Sequence, residues 1–215
     1  MTEAAKDATH IYLLGDLFDF WHEYNYAVPK GHVRLLGKLA EWRDSGVPIT
    51  YFMGNHDLWM YGYFQKELNI PVIEHELQFE AEGKKFFVAH GDGLGPGDAG
   101  YKFVKRIFRN RFCQWLFRWL HPDIGIPLAL FWSRKSRGEY NRLEKYEGNE
   151  NEMLEQFCRG YLQSNETDYF IFGHRHLPLD IRLSERSRYI NLGDWIHHFT
   201  YAVFENGELP LRKYK

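Results

Sequence analysis

Twice in its first 60 residues the chain runs through a β-branched and aromatic stretch, stops at a glycine, and continues with polar side chains. These stretches are HIYLLGD (10–16) and PITYFMGNHD (48–57). Between them, GHVRLLGKLAEWRDSG (31–46) has apolar residues at helical spacing, with Gly46 as the stop. Strand, helix, strand in this order predicts a βαβ unit with parallel strands, which brings both polar clusters to one edge of the sheet. The plan recurs further on. HELQFEA (75–81) and KKFFVAH (84–90) are expected to pair as a hairpin through Glu82-Gly83, the second ending at His90-Gly91-Asp92, and DYFIFGHRHLPL (168–179) puts an apolar strand directly before Gly173-His174-Arg175-His176. RYINLGDW and TYAVFEN supply closing strands, and a long insertion rich in helix signals separates the third cluster from the fourth.

Composition narrows the alternatives. With 215 residues, 44% of them hydrophobic, the chain can bury a real core as a single α/β domain over 1–215, with residues 101–165 as a helical insertion or lid. A formal charge of −2 gives no reason to expect a nucleic-acid partner. Cys113 and Cys158 match no zinc or redox spacing, which suits free thiols in a reducing compartment. The longest apolar stretch, WLFRWLHPDIGIPLALFW, is broken by Arg118, His121 and Asp123, and the opening MTEAAKDATH has no hydrophobic signal region. The expected location is cytoplasmic, with peripheral contact at the cytoplasmic face of the inner membrane as a further expectation. Oligomeric state is not legible.

The clusters share one chemistry. Asp16 offers a carboxylate, Asn55 an amide carbonyl, and His90, His174 and His176 imidazoles, a mixed O/N set that suits Mn²⁺, Fe²⁺ or Zn²⁺. In an extended His-x-His segment alternate side chains point the same way, so His174 and His176 are expected to address one cavity. Two divalent ions about 3.5–4 Å apart form a clamp suited to phosphorus, generating a hydroxide near neutral pH and holding non-bridging oxygens.

GDLFDFW, GNHDLW, HGD and GHRH, in this order and at these spacings, resemble the calcineurin-like metallophosphoesterase superfamily, and more closely its UDP-2,3-diacylglucosamine hydrolases of lipid A synthesis. The resemblance implies a mixed β-sandwich flanked by helices and a two-metal site, with Mn²⁺ as the expected ion. It implies Asp16 as bridging ligand, Asn55, His90 and His174 on one ion, and His176 on the other. His56 would stabilise charge or donate a proton at the scissile phosphate, oriented by Asp57. The family pattern opens with a strand carrying Asp-x-His, which Asp7 and His10, three apart, do not supply, so the second ion's site is expected to be incomplete in this chain. The implied reaction is hydrolysis of UDP-2,3-diacylglucosamine to UMP and 2,3-diacylglucosamine 1-phosphate. The competing readings are a protein phosphatase, a nucleotide phosphodiesterase, or a catalytically impaired form acting as a binding scaffold.

Substrate expectations centre on the insertion. Residues 101–137 hold nine Lys or Arg against one acid, Asp123, interleaved with aromatic and aliphatic residues. A basic amphipathic element of this kind suits an anionic membrane surface or an amphiphile with a phosphate head. By resemblance, Asp98 and Tyr101 meet the glucosamine or phosphate side of the substrate, with Lys102, Arg134, Lys135 and Arg137 as diphosphate contacts. Trp115, Trp119 and Trp132 are expected in the lid core or lining an acyl groove. His22 and Glu23 are expected to be solvated loop positions, His197 and His198 surface residues, and Asp19 and Asp194 carboxylates that brace their loops.

Overall fold

The computed structural model describes residues 5, 7–97, 99–140, 146, 148 and 151–214, without the side chains of 99 and 135–140. In chain order the elements are β1 (Ile11–Leu13), α1 (Val33–Asp44), β2 (Ile49–Phe52), α2 (Tyr63–Glu67), β3 (Val72–Ile73), β4 (Leu77–Ala81), β5 (Lys84–Ala89), α3 (Ala99–Phe108), α4 (Arg111–Arg118), α5 (Pro122–Tyr140), α6 (Met153–Tyr161), β6 (Tyr169–Phe172), β7 (Pro178–Arg182), β8 (Arg188–Leu192), β9 (Thr200–Ala202) and β10 (Leu211–Lys213). The mixed α/β class read from the sequence is the observed one. The chain divides into two compact units, Met1–Glu74 with Ala99–Arg142, and His75–Asp98 with Leu143–Lys215.

The first unit contains the expected βαβ arrangement. β1 and β2 pair in parallel with Ile11 opposite Ile49 and Leu13 opposite Tyr51, and β3 adds a third parallel strand beside β2. All four residues of β2 are buried, so the strand shows a continuous apolar run instead of alternation, as expected for a strand covered on both faces. Trp21, Phe18, Leu39, Tyr51, Phe64 and Ile70 form its core at 1% exposure or less. Removing this much apolar and aromatic surface from water, at roughly 25 cal/mol per Å², gives the unit a strong reason to hold its loops in place. Because the strands are parallel, the Gly15-Asp16 turn and the Gly54-Asn55-His56-Asp57 loop leave the sheet at the same end.

The second unit has a five-stranded mixed sheet in the order β4-β5-β6-β8-β7, together with α6 and the β9-β10 pair. The β4-β5 hairpin turns at Glu82 and Gly83, whose φ values of 48° and 70° are those of a primed two-residue turn. β5, β6 and β8 run parallel, which puts their carboxyl ends, and thus His90, His174 and Asp194, along one edge. Phe87, Phe170, Phe172, Tyr189 and Leu154 pack around the fully buried Cys158. Burial pushes the Cys158 thiol far up from its ordinary range, so it is an inert apolar filler.

Three short strands escape the sequence pattern. β3 has two residues, β7 begins at Pro178, and β10 has three, each too brief or too polar to show a period of two. Among the described residues, no helix is long and apolar enough to cross a membrane.

Candidate metal and phosphoryl site

Asp16 follows β1 with φ 52°, a left-handed conformation that non-glycine residues seldom adopt. Its placement depends on Gly54, because a Cβ built there would lie 2.2 Å from the Asp16 Oδ1 and 2.5 Å from the Asp16 N, so any side chain at 54 would displace the carboxylate. The Asp16 Oδ1 in turn accepts the His56 backbone N–H at 2.8 Å. The two glycine-ended runs 40 residues apart are thus stitched directly together.

Asp57 is fully buried and secures both loops. Its carboxylate accepts N–H from Leu17 at 3.0 Å and from Gly54 at 2.6 Å, and the Tyr51 hydroxyl donates to it as well. Burial, reinforced by the Asp57 charge, pushes the Tyr51 phenol well above its ordinary value and keeps it a donor. Asp57 thus braces the loop that carries Asp16. Asp19 contributes its backbone carbonyl, which accepts from the Ser133 hydroxyl at 2.7 Å.

His56 meets a partner that sequence reasoning missed: its Nδ1 lies 2.8 Å from the Ser133 Oγ, on α5. The Ser133 hydroxyl has one proton, and the Asp19 carbonyl takes it. The oxygen is left to accept, so His56 carries its proton on Nδ1 in the neutral form. Nothing in the spacing of SRKSR marks Ser133 for this.

In the second unit the buried His90 and the half-buried His174 stand edge to face, ring centroids 5.2 Å apart. The Gly173 N–H donates to the His90 carbonyl at 3.0 Å, and the buried Asn191 side chain donates to the Gly173 carbonyl. Gly91, at φ 112°, lets the chain turn after His90 against Leu154 and Phe172. Arg175 points away from this pair into Glu152, 3.1 Å away and almost completely buried.

The expectation of an extended His-x-His segment is corrected. β6 ends at Phe172, and His174 and His176 both take left-handed φ, 58° and 53°. Such residues persist only where the surroundings over-determine them, and they gather at sites where a side chain must be aimed. Asp16, His174 and His176, three of the five expected ligands, share this feature. One carboxylate and three imidazoles, two of these held side by side, fit a divalent transition ion by donor chemistry.

Other expected positions divide as follows. Asn55 is half-buried, as are Tyr101 and Lys102 on α3, and Arg134 is exposed on α5. Asp98 and the side chains of Lys135 and Arg137 lie outside the described residues. His22 and Glu23 are not solvated, at 0% and 7% exposure. His197 is exposed and His198 partly so, and the Asp194 carboxylate caps their turn by accepting N–H from Ile196, His197 and His198. Burial alone would raise the Asp194 pKa, but these backbone donors bring it down to about 2. Trp115, Trp119 and Trp132 are not lid core, being 50%, 75% and 64% exposed.

Comparison with known proteins agrees with the chemistry of these loops. The chain is 40% identical over 218 residues to a UDP-2,3-diacylglucosamine hydrolase of Porphyromonas gingivalis, covering 95% of this chain and 83% of that one. It is 30% identical over 178 residues to a UDP-2,3-diacylglucosamine hydrolase of Proteus mirabilis, covering 83% and 72%. Among solved structures, an archaeal phosphodiesterase matches 85% of this chain and 78% of its own at 14% identity and a TM-score of 0.41. The family model for calcineurin-like phosphoesterases matches residues 2–178, a span that includes all four glycine-ended clusters. With their order, their donor chemistry and this match in agreement, the chain belongs to the calcineurin-like phosphoesterase family, a family of metal-dependent hydrolases.

Proposed function

We propose that this protein hydrolyses the phosphoanhydride of UDP-2,3-diacylglucosamine, giving UMP and 2,3-diacylglucosamine 1-phosphate. The observation that carries this reading is the 40% identity, over 95% of the chain, to a relative of that name. Asp16, Asn55, His90, His174 and His176 are the proposed ligands of the divalent ions, a donor set that suits Mn²⁺, Fe²⁺ or Zn²⁺, with Mn²⁺ the ion that the family resemblance implies. Bound there, such ions supply Lewis-acid polarisation of the phosphoryl group and a water acidified to react near neutral pH.

The chain's own residues do the remaining work. Asp57 and Gly54 hold the Asp16 carboxylate in place, and the Asp16 Oδ1 fixes the start of the His56 loop. His56, its ring held by the contact of Nδ1 with Ser133, is the proposed charge stabiliser at the transferring group; with the Nδ1 proton engaged by Ser133, Nε2 donates there only in the imidazolium form. The water oxygen becomes the new oxygen on the α-phosphorus. The bond from that phosphorus to the bridging oxygen breaks, and the bridging oxygen departs with the β-phosphate on the sugar.

The helical insertion of residues 101–165 is the proposed lid, with Asp98, Tyr101, Lys102, Arg134, Lys135 and Arg137 as substrate contacts. Exposed Phe112, Trp119, Ile124, Phe131 and Trp132, each above 60% exposure, lie on or directly beside α4 and α5, while Lys105 and Arg106 on α3, Arg109 in the turn after it and Arg111 on α4 supply the cations. This mixture supports peripheral contact with an anionic membrane surface, where apolar side chains enter the headgroup region and cations meet phosphates.

The test is UMP release from UDP-2,3-diacylglucosamine by the chain and by Asp16→Ala and His174→Ala. Both variants are expected to lose at least about 100-fold in kcat/KM, or about 2.7 kcal/mol of transition-state stabilisation, with unchanged circular dichroism. Normal turnover in either one contradicts the assignment.

A further inference from the structure

A second set of groups in the first unit is unexplained by phosphoanhydride hydrolysis. His22 is completely buried, yet neither ring nitrogen has a hydrogen-bond partner. The same holds for the hydroxyls of Tyr24 and Tyr61 and for the Arg118 Nε, all inaccessible to solvent. Buried polar atoms without partners are rare and costly in native proteins, and they usually mark a place where a water, an ion or a ligand sits. Five such atoms on four residues that touch one another are beyond ordinary tolerance.

The four form one cluster. The His22 and Tyr24 rings meet edge to face at 4.6 Å, His22 stands perpendicular to Tyr61 at 5.7 Å, and the Arg118 guanidinium lies over the Tyr61 ring, 5.2 Å from its centroid. Tyr24 is set beneath Gly125, where an added Cβ would come within 3.0 Å of the Tyr24 hydroxyl. Tyr61 and Arg118 also line an open cleft of about 430 Å³, together with Arg111, Gln114 and Trp115. Positions 111, 114, 115 and 118 share one face of α4, so both guanidinium groups reach the same cleft.

Donors outnumber acceptors here. Glu23, the carboxylate beside Tyr61, already accepts the N–H groups of Tyr61 and Tyr63 and the Trp21 indole N–H. Among the described residues no ion pair engages Arg111 or Arg118, and Arg118 donates only a long 3.3 Å bond to the Asn25 amide oxygen. Burial, aided by the Arg118 charge, brings the His22 pKa down to about 4, which agrees with an uncompensated positive field.

We infer that this cleft on α4 binds a phosphate-type oxyanion, with Arg118, Arg111 and the Tyr61 hydroxyl as its donors. Arg supplies the planar fork that matches such oxygens, and a buried hydroxyl completes the coordination. Trp115 offers an apolar wall to whatever carries the phosphate. The ligand is either free phosphate or the headgroup of an anionic lipid, both recognised by the same chemistry.

Calorimetric titration of the full chain with inorganic phosphate tests this independently of the hydrolytic site. His174→Ala serves as background, so that loss of the proposed metal ligand set cannot mimic the result. Phosphate is expected to bind the wild-type and His174→Ala chains alike, with affinity falling at least about tenfold in Arg118→Gln and Arg111→Gln. Tyr61→Phe, which removes one hydroxyl from an intact ring, is expected to weaken binding several-fold without unfolding. Competition by vesicles of phosphatidylcholine with phosphatidylglycerol identifies a headgroup as the source, and absence of competition identifies free phosphate. Equal affinity in the arginine variants, or no phosphate binding by His174→Ala, overturns the proposal.

Discussion

At the scale of single residues, the sequence marks which groups can do chemistry more clearly than it marks their surroundings. Asp16, Asn55, His56 and His90 are conspicuous because each lies within two residues of a glycine at a strand end, a signal that survives without any structure. His22 shows the limit. As a histidine in a loop it reads as solvated, yet Trp59, Tyr61 and Phe117 close around it with centroids 5.0–5.7 Å away, and those neighbours are too distant in sequence to be foreseen. Its titration has a defined sign. Burial first, then Arg118, lowers its pKa from 6.5 to about 4, so the folded state prefers the neutral ring. The stability this provides is complete above pH 6.5 and is lost as pH falls through about 4, because the unfolded chain binds the proton first. Denaturant midpoints measured between pH 7 and pH 4 are expected to fall more steeply for the wild type than for His22→Phe. Parallel curves contradict this account of His22.

Among elements, long periodic segments were legible and irregular ones were not. The α1 helix, the β4-β5 hairpin and the strands ahead of each cluster follow directly from spacing and turn residues. The His-x-His segment did not, since two consecutive alternate residues in left-handed conformation break the extended period on which that reading depended. Nor did the sequence show that α5 reaches His56. With the Ser133 hydroxyl donating to the Asp19 carbonyl and accepting from His56, the helix fixes both ring orientation and tautomer. Ser133→Ala is expected to lower kcat by about 10-fold, in the range of a lost positioning hydrogen bond, with KM little changed. Ser133→Thr keeps the hydroxyl and is expected to restore kcat. A Ser133→Ala variant with an unaltered kcat removes the serine from this role.

For the whole molecule, the family was readable before the fold, because four motifs in order over 160 residues constrain more than any one of them. The fold adds the reasons those motifs work locally: parallel strands that end together within each unit, a buried Asp57 tying two loops, and glycines where a Cβ would collide. Sequence could not reach the exposed apolar and basic surface of the insertion in this detail, since its period is shared by a buried amphipathic helix. The central claim is that these loops hold divalent metal, and metal content of the purified chain measures it directly. Elemental analysis by mass spectrometry is expected to find manganese or a related divalent ion bound to the wild type and a marked loss in Asp16→Ala and His174→Ala, with chelator removing both metal and turnover. Undiminished metal in those variants, or turnover that survives complete removal of the ion, would contradict it.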